Sequence, residues 1–199
     1  MIPNAFAVTL PHWVGTVLGT GETFLPSMEE RMRFAISLSR LNVTHGTGGP
    51  FGAALFETES GRLVAPGVNL VSSGCCSILH AEMVALMLGQ QALGSFDLGN
   101  ADTPACELVT STEPCAMCLG ALPWSGVRRL VCAARGEDAE AIGFDEGAKP
   151  ADWAGELGRR GIAVVRDCCR DEAAAVLREY AGAGGLIYNP QGGALWTNS

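Results

Sequence analysis

The sequence predicts a single three-layer α/β domain. A length of 199 residues suits one domain with a substantial core. A composition of 48% hydrophobic and 17% charged residues is typical of a well-packed globular protein and argues against disorder. Short apolar runs alternate with amphipathic segments, as in domains whose helices cover both faces of a sheet. We therefore expect the domain at residues 27–183, an irregular arm at 1–26 and a glycine-rich tail at 184–199.

The first half of the chain predicts two helices and a hairpin. The arm has three prolines and no steady period, which indicates irregular structure. Ser27 and Glu30 form a capping-box pattern for a helix that ends near Val43. Two short apolar runs then flank a turn, and apolar residues next recur at helical spacing. These patterns predict strands at 51–56 and 63–69 with a turn at 59–62, and a largely buried helix over 77–93.

The second half predicts three strands and four helices. Pro114 is placed to begin a helix, because proline is favoured at the first helical position. The other elements follow from short apolar runs and from apolar residues at helical spacing. The predicted strands cover 106–111, 129–134 and 162–166, and the helices cover 114–124, a short segment up to Phe144, 153–159 and 171–180.

Charge and cysteine content limit the partners and the compartment. The net charge of −8 repels polyphosphates, and no basic patch with interleaved aromatics is visible, so we expect no nucleic-acid partner. Residues 63–81 carry no charged side chain, but Pro66 and Gly74 make this stretch a poor membrane helix. No basic leader precedes the domain, and the paired cysteines do not resemble a small secreted scaffold. We therefore expect a cytoplasmic protein without a membrane partner.

Two short motifs indicate a catalytic metal. His80-Ala-Glu82 lies in one predicted helix, and Pro114-Cys115-Ala-Met-Cys118 opens another. Together they supply one imidazole and two thiolates, which leaves one of the four tetrahedral positions of zinc for water. The two sulfur ligands favour zinc over magnesium or calcium.

The spacing of these residues constrains their geometry. Residues two apart on an ideal helix point in nearly opposite directions, so His80 and Glu82 must lie in a first turn whose N-terminus faces the metal. Cys115 and Cys118 can ligate end-on from one turn in the same way, and the positive helix ends favour thiolates. Zinc lowers the pKa of its bound water to about 7, and Glu82 beside it is expected to shuttle the proton.

Each residue also has an ordinary interpretation. His80 alone is typical of a core histidine, and a Cys-x-x-Cys pair alone is typical of a redox dithiol or half of a structural zinc site. Cys75, Cys76 or another cysteine would then close the site. That alternative leaves Glu82 and Pro114 without a role.

The combined motif resembles the cytidine deaminase superfamily, whose signature is H-x-E followed by P-C-x-x-C. The resemblance covers about residues 50–188 and is strongest to bacterial guanine deaminases, some of which accept triazines such as ammeline. This chain differs from the family pattern just before the His80 motif, where it has Cys76-Ser-Ile-Leu and the family more commonly has Asp-Pro-Thr. This difference leaves the choice of substrate open. The motifs that carry the likeness are Gly-Gly-Pro-Phe-Gly at 48–52, Asn69, His80-Ala-Glu82, Glu113-Pro-Cys-Ala-Met-Cys118 and Gly143-Phe-Asp-Glu146.

The resemblance implies a fold, an assembly and a set of site residues. The fold is a five-stranded mixed sheet flanked by helices, and the assembly is a homodimer that exchanges C-terminal tails, with one Zn²⁺ per subunit. Ordinary alternatives are core packing for the aromatic residues, a turn cap for Asn69 and solvated surface for Glu146. The implied roles are base stacking for Phe51, hydrogen bonding for Asn69, leaving-group assistance for Glu146, and substrate contacts for Ala81, Trp124 and Tyr188.

The expected activity is therefore hydrolysis of guanine to xanthine and ammonia. Zinc hydroxide attacks the amino-bearing carbon, Glu82 shuttles protons and Glu146 assists the leaving amine. The alternatives are the same chemistry on ammeline, cytosine or a nucleoside, a transfer-RNA adenosine deaminase, and a zinc-stapled interaction module without activity.

Overall fold

A five-stranded mixed sheet forms the centre of the protein. The structure is a computed structural model that describes residues 4–189. β1 pairs antiparallel with β2 and β3, whereas β3, β4 and β5 are parallel, in the order β2-β1-β3-β4-β5. The predicted sheet is thus confirmed. The strands are β1 (Gly52–Glu57), β2 (Leu63–Val68), β3 (Cys106–Thr112), β4 (Arg129–Ala134) and β5 (Ala163–Val165).

Helices cover both faces of this sheet, which confirms the three-layer prediction. They are α1 (His12–Leu18), α2 (Met28–Thr44), α3 (Ala81–Leu93), α4 (Ala116–Ser125), α5 (Gly136–Glu140), α6 (Trp153–Arg159) and α7 (Arg170–Gly182). One apolar cluster joins one face of the sheet to α2 and α7, and a second joins the opposite face to α3, α4 and α6. Within residues 4–189, every helix is too short or too polar to cross a membrane.

Strand β1 shows why the apolar runs form central strands. Ala54 and Phe56 point into the cluster beneath α2 and α7, and Ala53 and Leu55 point into the cluster beneath α3. A strand covered on both faces needs apolar residues at every position rather than at alternate ones. The continuous run thus fits the position of β1 inside the sheet, between β2 and β3.

The N-terminal arm contains a helix that the sequence analysis did not predict. The apolar residues Trp13, Val14, Val17 and Leu18 recur at helical spacing in α1, but the helix has only seven residues and buries only Trp13 and Val14. These two residues pack in a small cluster with Leu70 and Leu79. The prediction of an irregular arm is therefore wrong for residues 12–18.

Helices α3 and α4 begin later than predicted. Helix α3 begins at Ala81 rather than near residue 77, and His80 is its N-cap with an extended backbone. Helix α4 begins at Ala116 with Cys115 as its N-cap, so Pro114 precedes the cap instead of opening the helix. Both caps thus lie at the ends of α3 and α4, where their side chains are not restricted to a lateral helix face.

A buried ionic network ties the arm to the sheet. The fully buried carboxylate of Glu107 on β3 pairs with Arg31 of α2 and with Arg129 of β4. Arg31 also donates to the backbone carbonyls of Leu25 at 2.7 Å and Pro26 at 2.9 Å. The segment that leads into α2 is therefore attached to the sheet by one charged cluster.

Replacing Glu107 by Gln is expected to lower the free energy of unfolding by about 3–5 kcal/mol, because Arg31 would remain buried without its counter-charge. The control is Glu172→Gln, since the Arg33–Glu172 pair lies about half exposed and a pair of that kind contributes less than about 1 kcal/mol. Urea unfolding measures both values. Equal losses in the two variants would contradict this account of the network.

Candidate active site

Three side chains form a candidate metal centre. The Nδ1 atom of His80 lies 3.5 Å from Sγ of Cys115 and 3.6 Å from Sγ of Cys118. The ligand atoms of the three residues all lie within 4.8 Å of one another. Residues that are 35 and 38 positions apart in sequence are thus brought to one point.

The ends of two helices create this arrangement. His80 and Cys115 are the N-caps of α3 and α4, and Cys118 lies in the first turn of α4. Helix α3 approaches β2 closely at Gly67, where a Cβ atom would lie 2.1 Å from the Ala81 carbonyl oxygen. The positive ends of both helices therefore meet beside the thiols and favour their ionised form. The structure thus places all three side chains at helix N-termini.

The pKa values of the two thiols are shifted in opposite directions, so that Cys118 keeps its proton more firmly than Cys115. The hydrogen bond from Cys118, with a further contribution from His80, lowers the pKa of Cys115 to about 4. The same hydrogen bond, together with burial, raises the pKa of Cys118. A metal cation that binds both sulfurs must displace this proton, so metal binding releases protons.

The donor set fits zinc. Imidazole nitrogen and thiolate sulfur are ordinary zinc ligands, and two sulfurs disfavour magnesium and calcium. Among the described residues, no fourth histidine, cysteine or carboxylate joins this group. Cys75 is exposed, and Cys76 packs against the cluster that contains Trp13. The set thus has one ligand fewer than a closed structural site.

A cavity of about 350 Å³ opens beside the metal centre. Glu82, the second residue of α3, and Glu146 both line it and are both buried. Burial raises the pKa of Glu82 to about 7, and the nearby Cys115 sulfur acts in the same direction. Burial also raises the pKa of Glu146 to about 7, against the lowering effect of Lys149. Two carboxyl groups that exchange protons near neutral pH thus face one space.

Lys149, the only lysine of the chain, orients Glu146. Its Nζ atom lies 3.1 Å from Oε2 of Glu146 and 3.3 Å from the carbonyl oxygen of Pro114. The Glu146 carbonyl in turn accepts a hydrogen bond from the Ala116 amide at 2.9 Å. The segment that carries Glu146 is therefore docked on the first turn of α4. Sequence reasoning missed Lys149, although a lone lysine three residues after Glu146 was a visible signal.

An aromatic and amide wall closes the other side of the cavity. The Phe51 ring packs edge to face on Phe144, with centroids 4.9 Å apart, and Tyr188 packs on Phe144 at 5.4 Å. The amide Nδ2 of Asn69 donates to the Tyr188 hydroxyl at 2.5 Å. Burial raises the pKa of Tyr188, so its hydroxyl stays neutral. The structure thus brings Phe51, Asn69 and Tyr188 to the cavity, as the sequence analysis expected.

Asn189 was not predicted and holds the segment before Glu146 in place. Its Nδ2 donates to the Gly143 carbonyl at 2.8 Å, and its Oδ1 accepts from the Asp145 amide at 3.0 Å. An asparagine near a chain end carries no sequence signal for such a contact, because its partners lie more than 40 positions away.

Two predicted contact residues lie outside the cavity. Trp124 is 85% exposed near the end of α4, about 9 Å along the helix axis from Cys118, so it is not a wall of this cavity. Its side chain faces solvent, which a helix-end position in the sequence does not reveal. The Ala81 side chain is fully buried in the core cluster beneath α3 and does not line the cavity.

Comparison with known proteins finds a deaminase family and a relative named guanine deaminase. Residues 26–134 match the family described as the cytidine and deoxycytidylate deaminase zinc-binding region. Guanine deaminase of Bacillus subtilis is 36% identical over 118 residues, which are 59% of this chain and 71% of that protein.

Two solved structures are similar over almost their full length. Guanine deaminase from Nitrosomonas europaea has a TM-score of 0.86 and 48% identity, and the match covers 92% of this chain and 99% of that one. A protein solved in complex with 2,6-diaminopurine has a TM-score of 0.88 and 50% identity, over 94% of this chain and 97% of that one.

Proposed function

We propose that this protein catalyses the zinc-dependent conversion of guanine to xanthine and ammonia. The chain belongs to the cytidine and deoxycytidylate deaminase family of hydrolytic deaminases. One observation carries this proposal: a single cavity joins the His80, Cys115 and Cys118 donor set to two buried carboxyl groups. The relatives named guanine deaminase support the choice of guanine.

His80, Cys115 and Cys118 would hold one Zn²⁺ per subunit. Zinc in such a site acts as a Lewis acid that brings the pKa of water to about 7. The protein contributes the cavity, the proton carriers and the orientation of the ring.

Glu82 is proposed to move the proton that hydrolysis requires. Its buried carboxyl group lines the cavity beside the donor set, where it can accept a proton from the attacking water and return it. The acceptor is the ring nitrogen beside the amino-bearing carbon. Bonding of the water oxygen to the amino-bearing carbon, together with this protonation, makes that carbon tetrahedral and removes its aromatic stabilisation, so that the C–N bond to the amino group can break.

Glu146 is proposed to assist the departing amine. Lys149 holds one of its carboxyl oxygens, Oε2, which leaves the other oxygen for the substrate. The amine must gain a proton before it leaves as ammonia, and a carboxyl group with a pKa of about 7 is suited to supply or relay it.

Phe51, Asn69 and Tyr188 are proposed to bind the heterocycle. A Phe51 ring at the cavity can stack on a flat base, and buried amide and hydroxyl groups supply directional hydrogen bonds. The Asn69 amide uses one N–H on Tyr188, which leaves its second N–H for the ring.

The Glu146→Gln variant is expected to lower kcat by about 100-fold, because glutamine keeps the shape but carries no transferable proton. Zinc content should stay at the wild-type value, since Glu146 is not in the donor set. Steady-state ammonia release and metal analysis on the same preparations measure both. The matched control is Glu137→Gln, an exposed acid of α5 that is expected to keep wild-type activity. Loss of zinc in Glu146→Gln would contradict the assigned role.

A substrate panel tests the choice of guanine. Guanine, ammeline, cytosine, a pyrimidine nucleoside and a transfer RNA are compared by kcat/KM for ammonia release. We expect guanine to have the highest value, and we expect no RNA turnover because the net charge of −8 opposes phosphate binding. A higher value for any other compound would replace guanine as the substrate, and no turnover of any compound would overturn the enzymatic proposal.

We also propose a cytoplasmic location, where the cysteines would stay reduced, and a homodimer with exchanged tails. Residues 190–199 of the tail, including Trp196, lie outside the described part of the chain. The exchange therefore remains a prediction.

A further inference from the structure

A chain of hydrogen bonds joins helix α1 to the substrate cavity. The Nε1 atom of Trp13 donates to Oγ1 of Thr47 at 3.1 Å, and that hydroxyl donates to Oδ1 of Asn42 at 2.7 Å. The Nδ2 atom of Asn42 donates to the carbonyl oxygens of Gly49 at 2.9 Å and Asn69 at 2.8 Å. We call this chain the Trp13 relay. It begins outside the cavity and ends on the backbone of a residue that lines it.

The donor and acceptor chemistry gives the relay one direction. An indole N–H can only donate, so the Thr47 oxygen accepts from it and the hydroxyl proton is directed to Asn42. The Asn42 oxygen must then face Thr47, and both amide hydrogens are left for the two carbonyls. Because Asn42 is fully buried, water cannot replace its partners, and loss of the Thr47 hydroxyl leaves Oδ1 of Asn42 without that donor.

The loop next to Asn69 leaves little room for displacement. A Cβ atom at Gly48 would lie 1.9 Å from the Asn69 carbonyl oxygen and 2.8 Å from Nδ2 of Asn42. The Asn69 side chain also accepts from the Gly49 amide at 3.4 Å and donates to Tyr188 at 2.5 Å. A shift of the Asn69 carbonyl therefore moves the side chain that faces the cavity.

Helix α1 supports the same loop by packing. Trp13 stacks on His45 with ring centroids 5.4 Å apart and planes 8° from parallel. It also shares a buried cluster with Leu70, which follows Asn69, and Leu79, which precedes the metal-centre residue His80. The loop from 69 to 80 thus lies between α1, which packs on one side of it, and the cavity, which it lines on the other.

We propose that Trp13 is a positioning residue for substrate binding, which acts through Thr47 and Asn42 to hold Asn69 in place. The inference rests on the proposed function, in which Asn69 hydrogen-bonds the heterocycle. Trp13 does not line the cavity, so its removal changes the binding of the ring and leaves proton transfer by Glu82 intact. The arm thereby becomes part of the substrate-binding apparatus.

Three variants and one double variant test the relay. Trp13→Phe keeps an aromatic ring on His45 but removes the N–H donor, and Thr47→Val removes the hydroxyl at nearly constant volume. Each is expected to raise KM for guanine about three- to tenfold with kcat within about twofold of wild type, the effect of one lost hydrogen bond. Thr47→Ser keeps the hydroxyl and is expected to restore the wild-type KM. The double variant combines Trp13→Phe with Thr47→Val. Its KM should be no higher than that of either single variant, because both substitutions interrupt the same chain of hydrogen bonds.

Two results would overturn the inference: a wild-type KM in Trp13→Phe, or a KM in Thr47→Ser as high as in Thr47→Val. The second result would mean that packing, not hydrogen bonding, sets the effect. Failure of the proposed function looks different, since wild-type protein would then release no ammonia from guanine. If another ring of the panel proves to be the substrate, the same KM ratios are measured on that ring, because the role assigned to Asn69 is unchanged.

Discussion

The Glu82→Gln variant is expected to lose about 100- to 10,000-fold in kcat, the usual contribution of a carboxyl group that acts as general acid and base. Glutamine fills the same space beside the metal centre but cannot carry a proton between water and the ring. Zinc content is expected to stay at the wild-type level, because Glu82 lies outside the donor set of His80, Cys115 and Cys118. Steady-state ammonia release and metal analysis on one preparation measure the two quantities.

Stability provides the control for this variant. Burial raises the pKa of Glu82 from its ordinary 4.5 to about 7, so in the metal-free protein the folded state holds a proton that the unfolded state releases. The unfolded state then binds fewer protons between these values, and stability falls as pH rises through this window. Metal-free Glu82→Gln should therefore be at least as stable as wild type at pH 8. A variant that unfolds more easily there would show that its lost activity reflects damage to the fold.

The Cys118→Ser variant is expected to lose zinc and to lower ammonia release to background. Cys118 is fully buried and supplies one of only two sulfur donors in the donor set, and a serine hydroxyl is a poor substitute for a thiolate. The matched control is Cys106→Ser, because Cys106 is also fully buried but lies at the opposite end of β3 from the metal centre. The control should keep both zinc and activity.

Zinc content and activity must fall together in Cys118→Ser for the donor set to be correct. Full zinc occupancy in this variant would show that other residues bind the metal. Equal loss in Cys106→Ser would show that any buried thiol is needed for the fold, and the donor set would then lose its support.

The central strands and the metal centre were predictable because their signals are local. A short continuous apolar run such as 53–56, followed by a turn, is typical of a strand covered on both faces. Cys115 and Cys118 were predictable because one helical turn can supply two zinc ligands, and His80 was predictable because the H-x-E and P-C-x-x-C motifs together resemble a known deaminase signature. Their meeting point could be inferred without knowing how α3 and α4 pack, since both motifs must reach the same ion.

The rest of the site depends on contacts that no local pattern records. Lys149 and Asn189 hold Glu146 and its segment from a loop and from the chain end, and Trp13 reaches Asn69 through two intermediate residues. Helix α1 was missed because its seven residues are too few for their apolar spacing to outweigh the prolines and glycines of the arm. Trp124 was misplaced because a tryptophan near a helix end is compatible with either a cavity wall or exposed surface.

Ammonia release from guanine, measured as a function of bound zinc, tests the central claim most directly. Chelator-treated protein is titrated with Zn²⁺, and ammonia, xanthine and bound metal are determined on each sample. We expect no turnover without metal, equimolar ammonia and xanthine once zinc is restored, and a rate that saturates at one zinc per chain. Full activity in the metal-free protein, or zinc-loaded protein that releases no ammonia from guanine, would contradict the account.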